Sequence, residues 1–233
     1  MIMSKIMFAG ASGTGKSTLA EWIANGAELF SSNSMPFVSG SVSDLLPKTK
    51  DMPHKDMLAR DPMELYHEDM QILNLRHKKF KEYENFVSDR SYLDSAAYFL
   101  YKQADKQPEC EVEHFMELSK MLLNQECTHL IFIRFHTGLY KEWVTEDNGK
   151  RIVSSFFQME ISAIMEMILK LWGFTPEDHI RSLKDSWLKA PKTLDYPCPV
   201  GSIKSLYGET KVLVLDEPNL DLRKSVIELF LKV

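Results

Sequence analysis

Short apolar runs alternate with longer amphipathic stretches along the chain. Lys5 to Ala9, Pro36 to Gly40, Asn85 to Ser88, His129 to Phe135 and Lys211 to Leu215 have strand length, and each is followed by glycine or a polar residue. Between them the apolar positions recur with a helical period. Tyr66, Met70, Leu73, His77 and Phe80 stand 4, 3, 4 and 3 residues apart, which places them on one helix face. Ahead of them Asp61-Pro62-Met63-Glu64 supplies an N-cap aspartate, a proline at the first helical position and a glutamate at the third. Val112, Phe115, Ser119 and Leu122 mark a helix over 111–125. Phe157, Ile161, Ile164, Ile168 and Trp172 mark another, with Ser155 and Gln158 as its capping box and Gly173 as its stop. Residues 17–25 (closed by Gly26), 92–103 and 219–232 complete the helices. His77 reads as a boundary histidine, and the aromatic and methionine stripes read as core.

This order predicts an α/β fold: three αβα layers around a five-stranded parallel sheet, with helices on both faces. Ligands of such sheets gather at the carboxyl ends of the strands. The loops of interest are therefore 9–17, 39–60, 89–95, 135–155 and 215–220. Residues 174–210, with Pro176, Pro191, Pro197 and Pro199, break the alternation and read as an insertion packed on the core or a flap. No internal repeat divides the chain, so residues 1–233 read as one domain.

Composition narrows this little. Of 233 residues, 44% are hydrophobic and 26% charged, ordinary globular usage. Cys110, Cys127 and Cys198 have no metal-ligand or disulfide spacing, which fits a reducing cytoplasm. No apolar run approaches the ~20 residues of a membrane span, and Met1 to Lys5 leads into a strand, not a signal-peptide core. A net charge of −5 argues against a large nucleic-acid footprint.

The chemistry is concentrated at residues 10–17, Gly-Ala-Ser-Gly-Thr-Gly-Lys-Ser, which fit G-x-x-x-x-G-K-[ST] in full between a predicted strand and a predicted helix. Chance produces the pattern in roughly one chain in a hundred of this length, and the strand–helix context reduces that further. Glycines let the backbone turn its N–H groups inward, and the helix N-terminus adds positive potential. Lys16 would reach the β- and γ-phosphates and Ser17 would offer its hydroxyl to Mg²⁺. The predicted nucleotide-binding residues are Gly10, Ser12, Gly13, Thr14, Gly15, Lys16, Ser17 and Thr18, and the ligands are ATP and Mg²⁺. Lys16 is expected to face solvent.

Three further segments carry candidate chemistry. Asp89-Arg90-Ser91 follows a predicted strand, where a carboxylate can meet Mg²⁺ or an acceptor and Arg90 can fork onto phosphate oxygens; the bland alternative is a helix cap. Thr145 to Arg151 is a polar loop whose Lys150 and Arg151 could close over transferring phosphates; residues 139–155 are the predicted lid. Asp216-Glu217-Pro218 follows Val-Leu-Val-Leu like the acidic end of a transporter-type ATPase strand, but it reads more simply as a turn before the last helix.

The run Phe8 to Ala20 resembles the P-loop of small nucleotide and nucleoside kinases. Phe86 to Tyr98 resembles the D-R-S segment of phage-type P-loop kinases and nicotinamide riboside kinase-like domains. Glu146 to Arg151 is similar to their D-D-G-x-R lid, with Asn148 in place of the second aspartate. The resemblance covers about residues 1–173 and 211–233. It implies a P-loop kinase fold and an ATP-dependent phosphotransferase, with Lys16, Asp89, Arg90 and Arg151 catalytic and Ser17 and Asp89 on the metal. It also implies a cytoplasmic enzyme, in the host cytoplasm if phage-encoded, with a homodimer left open. The acceptor is a nucleotide or nucleoside, with a deoxynucleotide-type acceptor favoured. The alternatives are a hydroxymethyl group of a modified base in DNA, or water alone in an ATPase or binding module. An alcohol benefits from a carboxylate base and an ionised monophosphate from cationic clamps. Asp44 is the candidate base beside Asp89, and Arg60, Arg76, Arg90 and Lys150 are candidate substrate contacts. Lys48, Lys50 and Lys55, with Arg76, Lys78, Lys79 and Lys81, are the candidate DNA footprint.

Overall fold

The computed structural model describes residues 4–26, 35–46, 60–135, 154–176, 198–206, 208–217 and 219–232. Among these, the strands are β1 (Lys5–Gly10), β2 (Phe86–Ser88), β3 (His129–Ile133), β4 (Thr175–Pro176), β5 (Val200–Ser205) and β6 (Gly208–Leu215). The helices are α1 (Lys16–Ala24), α2 (Val42–Leu45), α3 (Pro62–Lys81), α4 (Tyr92–Gln103), α5 (Glu109–Glu126), α6 (Ser155–Leu171) and α7 (Leu220–Leu231).

The strands form one sheet in the order β2-β1-β3-β6-β5-β4. The first four are mutually parallel, with Ile6 opposite Val87, Phe8 opposite Ile131 and Ile131 opposite Leu213. Strict alternation along these buried strands divides the core in two. Met7, Leu130, Phe132, Val212 and Val214 face one side, where Phe80, Phe99, Phe115, Leu123, Ile161 and Ile168 from α3 to α6 cover them. Ile6, Phe8, Ile131, Ile133, Leu213 and Leu215 face the other, against Leu19 and Ile23 of α1 and Val226, Ile227 and Phe230 of α7. The three αβα layers expected from the sequence are present.

Three local expectations change. The predicted strand at 36–40 is a single parallel bridge, Phe37 to Val87, outside β2. Pro36 has no N–H to donate, and the Gly40 carbonyl is taken by Arg76 at 2.8 Å, so the ladder ends after Val38 donates to the Val87 carbonyl. Residues 174–210 contain two more strands. β5 runs antiparallel to β6 from Val200–Leu213 to Ser205–Gly208, and β4 adds to its far edge. The cap of α6 is Ser154, whose hydroxyl accepts from the Phe157 N–H at 3.3 Å, one residue before the predicted Ser155. The Asp61 cap of α3 forms as read, accepting from Met63 and Glu64 N–H at 2.9 and 3.2 Å.

His129 begins β3 edge-on to Phe230, ring centroids 5.5 Å apart, with its Nδ1 2.9 Å from the Thr128 hydroxyl. Burial, and then the Lys211 ammonium, push its pKa down to about 4. The unfolded chain takes up this proton near pH 6.5 and the folded one only near 4. The fold is therefore expected to lose stability as pH falls from about 6.5 towards 4. His77 shifts in the same direction, mainly through burial, so the test needs a variant. His129→Gln should flatten the fall in urea midpoint between pH 7 and pH 5, and an unchanged slope would assign the effect elsewhere.

Candidate active site

The carboxyl end of β1 runs into a loop that only glycine can make. Gly10 has φ 150°, and a Cβ there would stand 2.7 Å from the Ile133 carbonyl of β3. Gly13 and Gly15 hold φ 80° and 89°, a left-handed conformation that side chains resist. Gly15 is the N-cap of α1, and its carbonyl accepts from Leu19 N–H at 3.1 Å. Thr14 braces the loop from within, its hydroxyl donating to the Ala11 carbonyl at 3.0 Å. The first N–H groups of α1 have no carbonyl a turn earlier, so the helix presents them at the loop.

Lys16 does not face solvent. It is 6% exposed, and its Nζ donates to the Gly10 and Ala11 carbonyls, both at 2.7 Å. The same turn that directs N–H groups inward leaves these carbonyls needing a donor, and the flexible lysine stem folds back to supply one.

Ser17 and Asp89 meet. The Ser17 hydroxyl donates to Asp89 Oδ2 at 2.7 Å. Asp89 directly follows β2, whose Ser88 is in register with Met7 of β1, so the pair joins the carboxyl ends of two adjacent strands. Asp89 is 9% exposed, and its buried Oδ1 has no hydrogen-bond partner among the described residues. A hydroxyl and a carboxylate with an unused buried oxygen are hard donors of the kind Mg²⁺ takes, and Mg²⁺ keeps much of its shell as water and phosphate oxygen. Among the described residues there is no cluster of three or more His, Cys, Asp or Glu to hold a metal otherwise.

Ser91 and Asp94 cap α4 reciprocally. The Ser91 hydroxyl and N–H both lie on Asp94 Oδ2, at 2.8 and 3.0 Å, and Asp94 N–H returns to the Ser91 hydroxyl at 3.3 Å. Ser91 therefore takes the cap role, and Asp89 is left to Ser17. Arg90 lies 3.5 Å from Asp94 Oδ1 with about a quarter of its side chain exposed. Burial works against its charge, but Asp94 and Tyr98 hold its pKa above the usual arginine value.

Arg76 is a strut instead of the expected phosphate clamp. It is 2% exposed, with Nε and Nη2 on the Gly40 carbonyl at 3.3 and 2.8 Å and Nη1 on the Ser91 carbonyl at 3.1 Å and the Ser95 hydroxyl. It ties the 36–40 stretch to the start of α4. Gly40 allows that approach, since a Cβ there would lie 2.9 Å from Arg90 Cβ. Arg60 sits on two carboxylates of α3, Glu68 at 2.8 Å and Glu64 at 3.7 Å. Asp44 lies in α2, capped by Ser41, and accepts from the Ser39 hydroxyl. Lys79 donates to the Ser39 carbonyl at 2.8 Å. Lys48, Lys50, Lys55, Lys150 and Arg151, with all of the predicted lid but Ser154 and Ser155, lie outside the described residues.

Asp216 and Glu217 follow β6, which lies two places from β1 across β3. Asp216 pairs with Arg134 at 2.7 Å, and Arg134 also reaches Glu166 of α6 at 3.1 Å. Glu217 is buried and accepts from the Asn219 N–H at 2.8 Å. Arg134 and Arg223 escaped the sequence reading. Arg223 had a visible signal, a charge on the stripe Arg223, Val226, Ile227, Phe230 that α7 buries.

No described helix is long and apolar enough to cross a membrane. The sequence model of a family described as an AAA domain matches residues 5–175, well over half of the chain. No curated relative matches the sequence. Two solved structures of deoxyadenosine kinase from M. mycoides superpose on this one. That with products dCMP and a flexible dCDP bound has a TM-score of 0.59 at 12% identity, over 97% of this chain and 97% of that one. That with bound dATP has the same score and identity, over 99% and 100%. The chain belongs to the AAA domain family, and it shares its fold with the two deoxyadenosine kinase structures.

Proposed function

We propose that the protein is an ATP-dependent kinase that transfers the γ-phosphoryl group to a nucleotide or nucleoside, with a deoxynucleotide-type acceptor favoured. The observation that carries this reading is the Ser17–Asp89 pair at 2.7 Å beside a complete phosphate-binding loop, with Asp89 Oδ1 buried and without a partner among the described residues. The M. mycoides enzyme of the same fold holds dCMP, dCDP and dATP, which favours the deoxynucleotide class.

In this reading the N–H groups of residues 10–17 bind the triphosphate. Lys16 exchanges the Gly10 and Ala11 carbonyls for phosphate oxygens. Ser17 and Asp89 would hold Mg²⁺, which when bound neutralises charge on the β- and γ-phosphates. An alcohol acceptor would pass its proton to a carboxylate, Asp89 or Asp44; a monophosphate acceptor arrives ionised and would need none. Arg90 would fork onto phosphate oxygens, and Lys150 and Arg151 would close from the lid. The modified-DNA reading loses support from Arg76, which is buried, and from Lys79, which is bonded to Ser39. The ATPase reading loses support from the position of β6 and the engagement of Asp216 and Glu217.

Measuring ADP release with deoxynucleosides, their monophosphates, hydroxymethyl-modified DNA and no acceptor tests the proposal. Release that depends on a free deoxynucleoside or its monophosphate is expected. Equal release without acceptor would leave an ATPase. Arg151→Ala should lower kcat tens of times more than it weakens ATP binding, because a lid cation meets the phosphates chiefly in the transition state. Lys150→Ala should do less, and a change in KM alone would remove Arg151 from the lid.

A further inference from the structure

A backbone carbonyl of the phosphate loop held by a donor outside the cradle cannot turn inward, where it would repel a phosphate. Gly10 and Ala11 have Lys16, and Gly15 has Leu19 N–H. Thr14 is served from the far end of the chain. Its carbonyl accepts from Arg223 Nη1 at 2.7 Å, across 209 positions of sequence.

Arg223 is 1% exposed. Its Nε donates to the Glu217 backbone carbonyl at the end of β6, so one planar fork spans the start of α7, the end of β6 and the loop. Burial pulls its pKa down to about 10, against the pull of Glu217, Cys198 and Asp216. Burying this cation is costly unless a specific arrangement needs it, and an apolar residue would suit the α7 stripe better. The need lies in the peptide that Arg223 holds. In a trans peptide the C=O of Thr14 and the N–H of Gly15 point in opposite directions. Pinning the carbonyl on the α7 side therefore turns the Gly15 N–H to the other side, into the cradle. Gly15, at φ 89°, has a wide range of backbone conformations and would not hold that orientation alone.

We infer that Arg223 is a positioning residue for triphosphate binding. It fixes the Thr14–Gly15 peptide so that the Gly15 N–H faces the phosphates, and it couples the last helix to the affinity of the loop. Glu217 then acts as part of this brace, its backbone carbonyl the second anchor. The inference rests on the nucleotide reading of the loop.

The test compares wild type, Arg223→Met, Arg223→Lys and the double variant Arg223→Met/Glu217→Gln, which removes both buried charges together. Each is checked for folding by circular dichroism and thermal unfolding. Kd is then measured for ATP, tripolyphosphate and adenosine. ATP and tripolyphosphate should weaken about tenfold in Arg223→Met and in the double variant, with adenosine unchanged and with Arg223→Lys in between. A purely structural Arg223 would lower the melting temperature while leaving both phosphate-bearing affinities of the folded protein intact, and that result overturns the inference. If wild type itself binds neither ATP nor tripolyphosphate, the nucleotide reading fails and the inference falls with it.

Discussion

Lys16→Met is expected to abolish the proposed phosphoryl transfer, with kcat down by at least ~10³-fold, in a protein that still folds. A single preorganised donor at a developing anion contributes ~10²–10³ in rate, and cations at a transferring phosphoryl group reach ~10³ and beyond. Lys16 would serve both the bound triphosphate and its transition state. The structural cost is less simple than a solvent-facing lysine would imply. Nζ satisfies two loop carbonyls at 2.7 Å, and that of Ala11 has a second donor, the Thr14 hydroxyl. Methionine keeps the buried stem and leaves the Gly10 carbonyl to find water, a loss of about 1–3 kcal/mol for a group that stays dry and less where water enters. A modest drop in melting temperature with lost activity is therefore expected. Near wild-type kcat in the folded variant would remove the nucleotide site altogether.

The sheet was legible because its signals are local. Four strands show as buried runs whose neighbours alternate between two faces, and Asp61 before Pro62 marks a helix start that needs no tertiary help. The loop was legible because its glycines meet requirements of backbone geometry. What failed depended on partners distant in sequence. Pro36 to Gly40 has strand composition, but Arg76 takes the Gly40 carbonyl from 36 positions away and the ladder stops. Arg76 itself reads as a surface cation from a run of basic residues, and only the packing of α3 against α4 shows it buried. Lys16 reads as solvent-facing because sequence does not show which carbonyls the loop leaves open. Val200 to Ser205 looked like part of an insertion because its glycine and serines break the apolar run; pairing with β6 makes it a strand. In the site, the Ser17–Asp89 juxtaposition was expected from the resemblance, not from spacing, since 72 residues separate the two.

Asp89, Asp216 and Glu217 all lie just past parallel strands, so sequence pattern alone ranks none of them, and topology does. β2 neighbours β1, and Asp89 Oδ2 is already on the Ser17 hydroxyl at 2.7 Å. β6 lies beyond β3, two strand spacings of ~4.8 Å from β1. A group that orients Mg²⁺ or an attacking oxygen must act within about 3 Å or through one water. Asp216 and Glu217 are also occupied, the first by Arg134 and the second by the Asn219 N–H. Asp89→Asn should therefore cost at least ~10²-fold in kcat, the scale of one lost base or charge-stabilising group. The amide can still accept from Ser17, so the fold should hold and the loss should appear in kcat rather than in melting temperature. Asp216→Asn and Glu217→Gln should leave kcat within a few-fold. Glu217→Gln should raise the KM for ATP modestly, because its charge offsets Arg223 behind the loop. The opposite pattern, Glu217→Gln trapping bound ATP while Asp89→Asn stays active, would make β6 the catalytic strand of an ATPase.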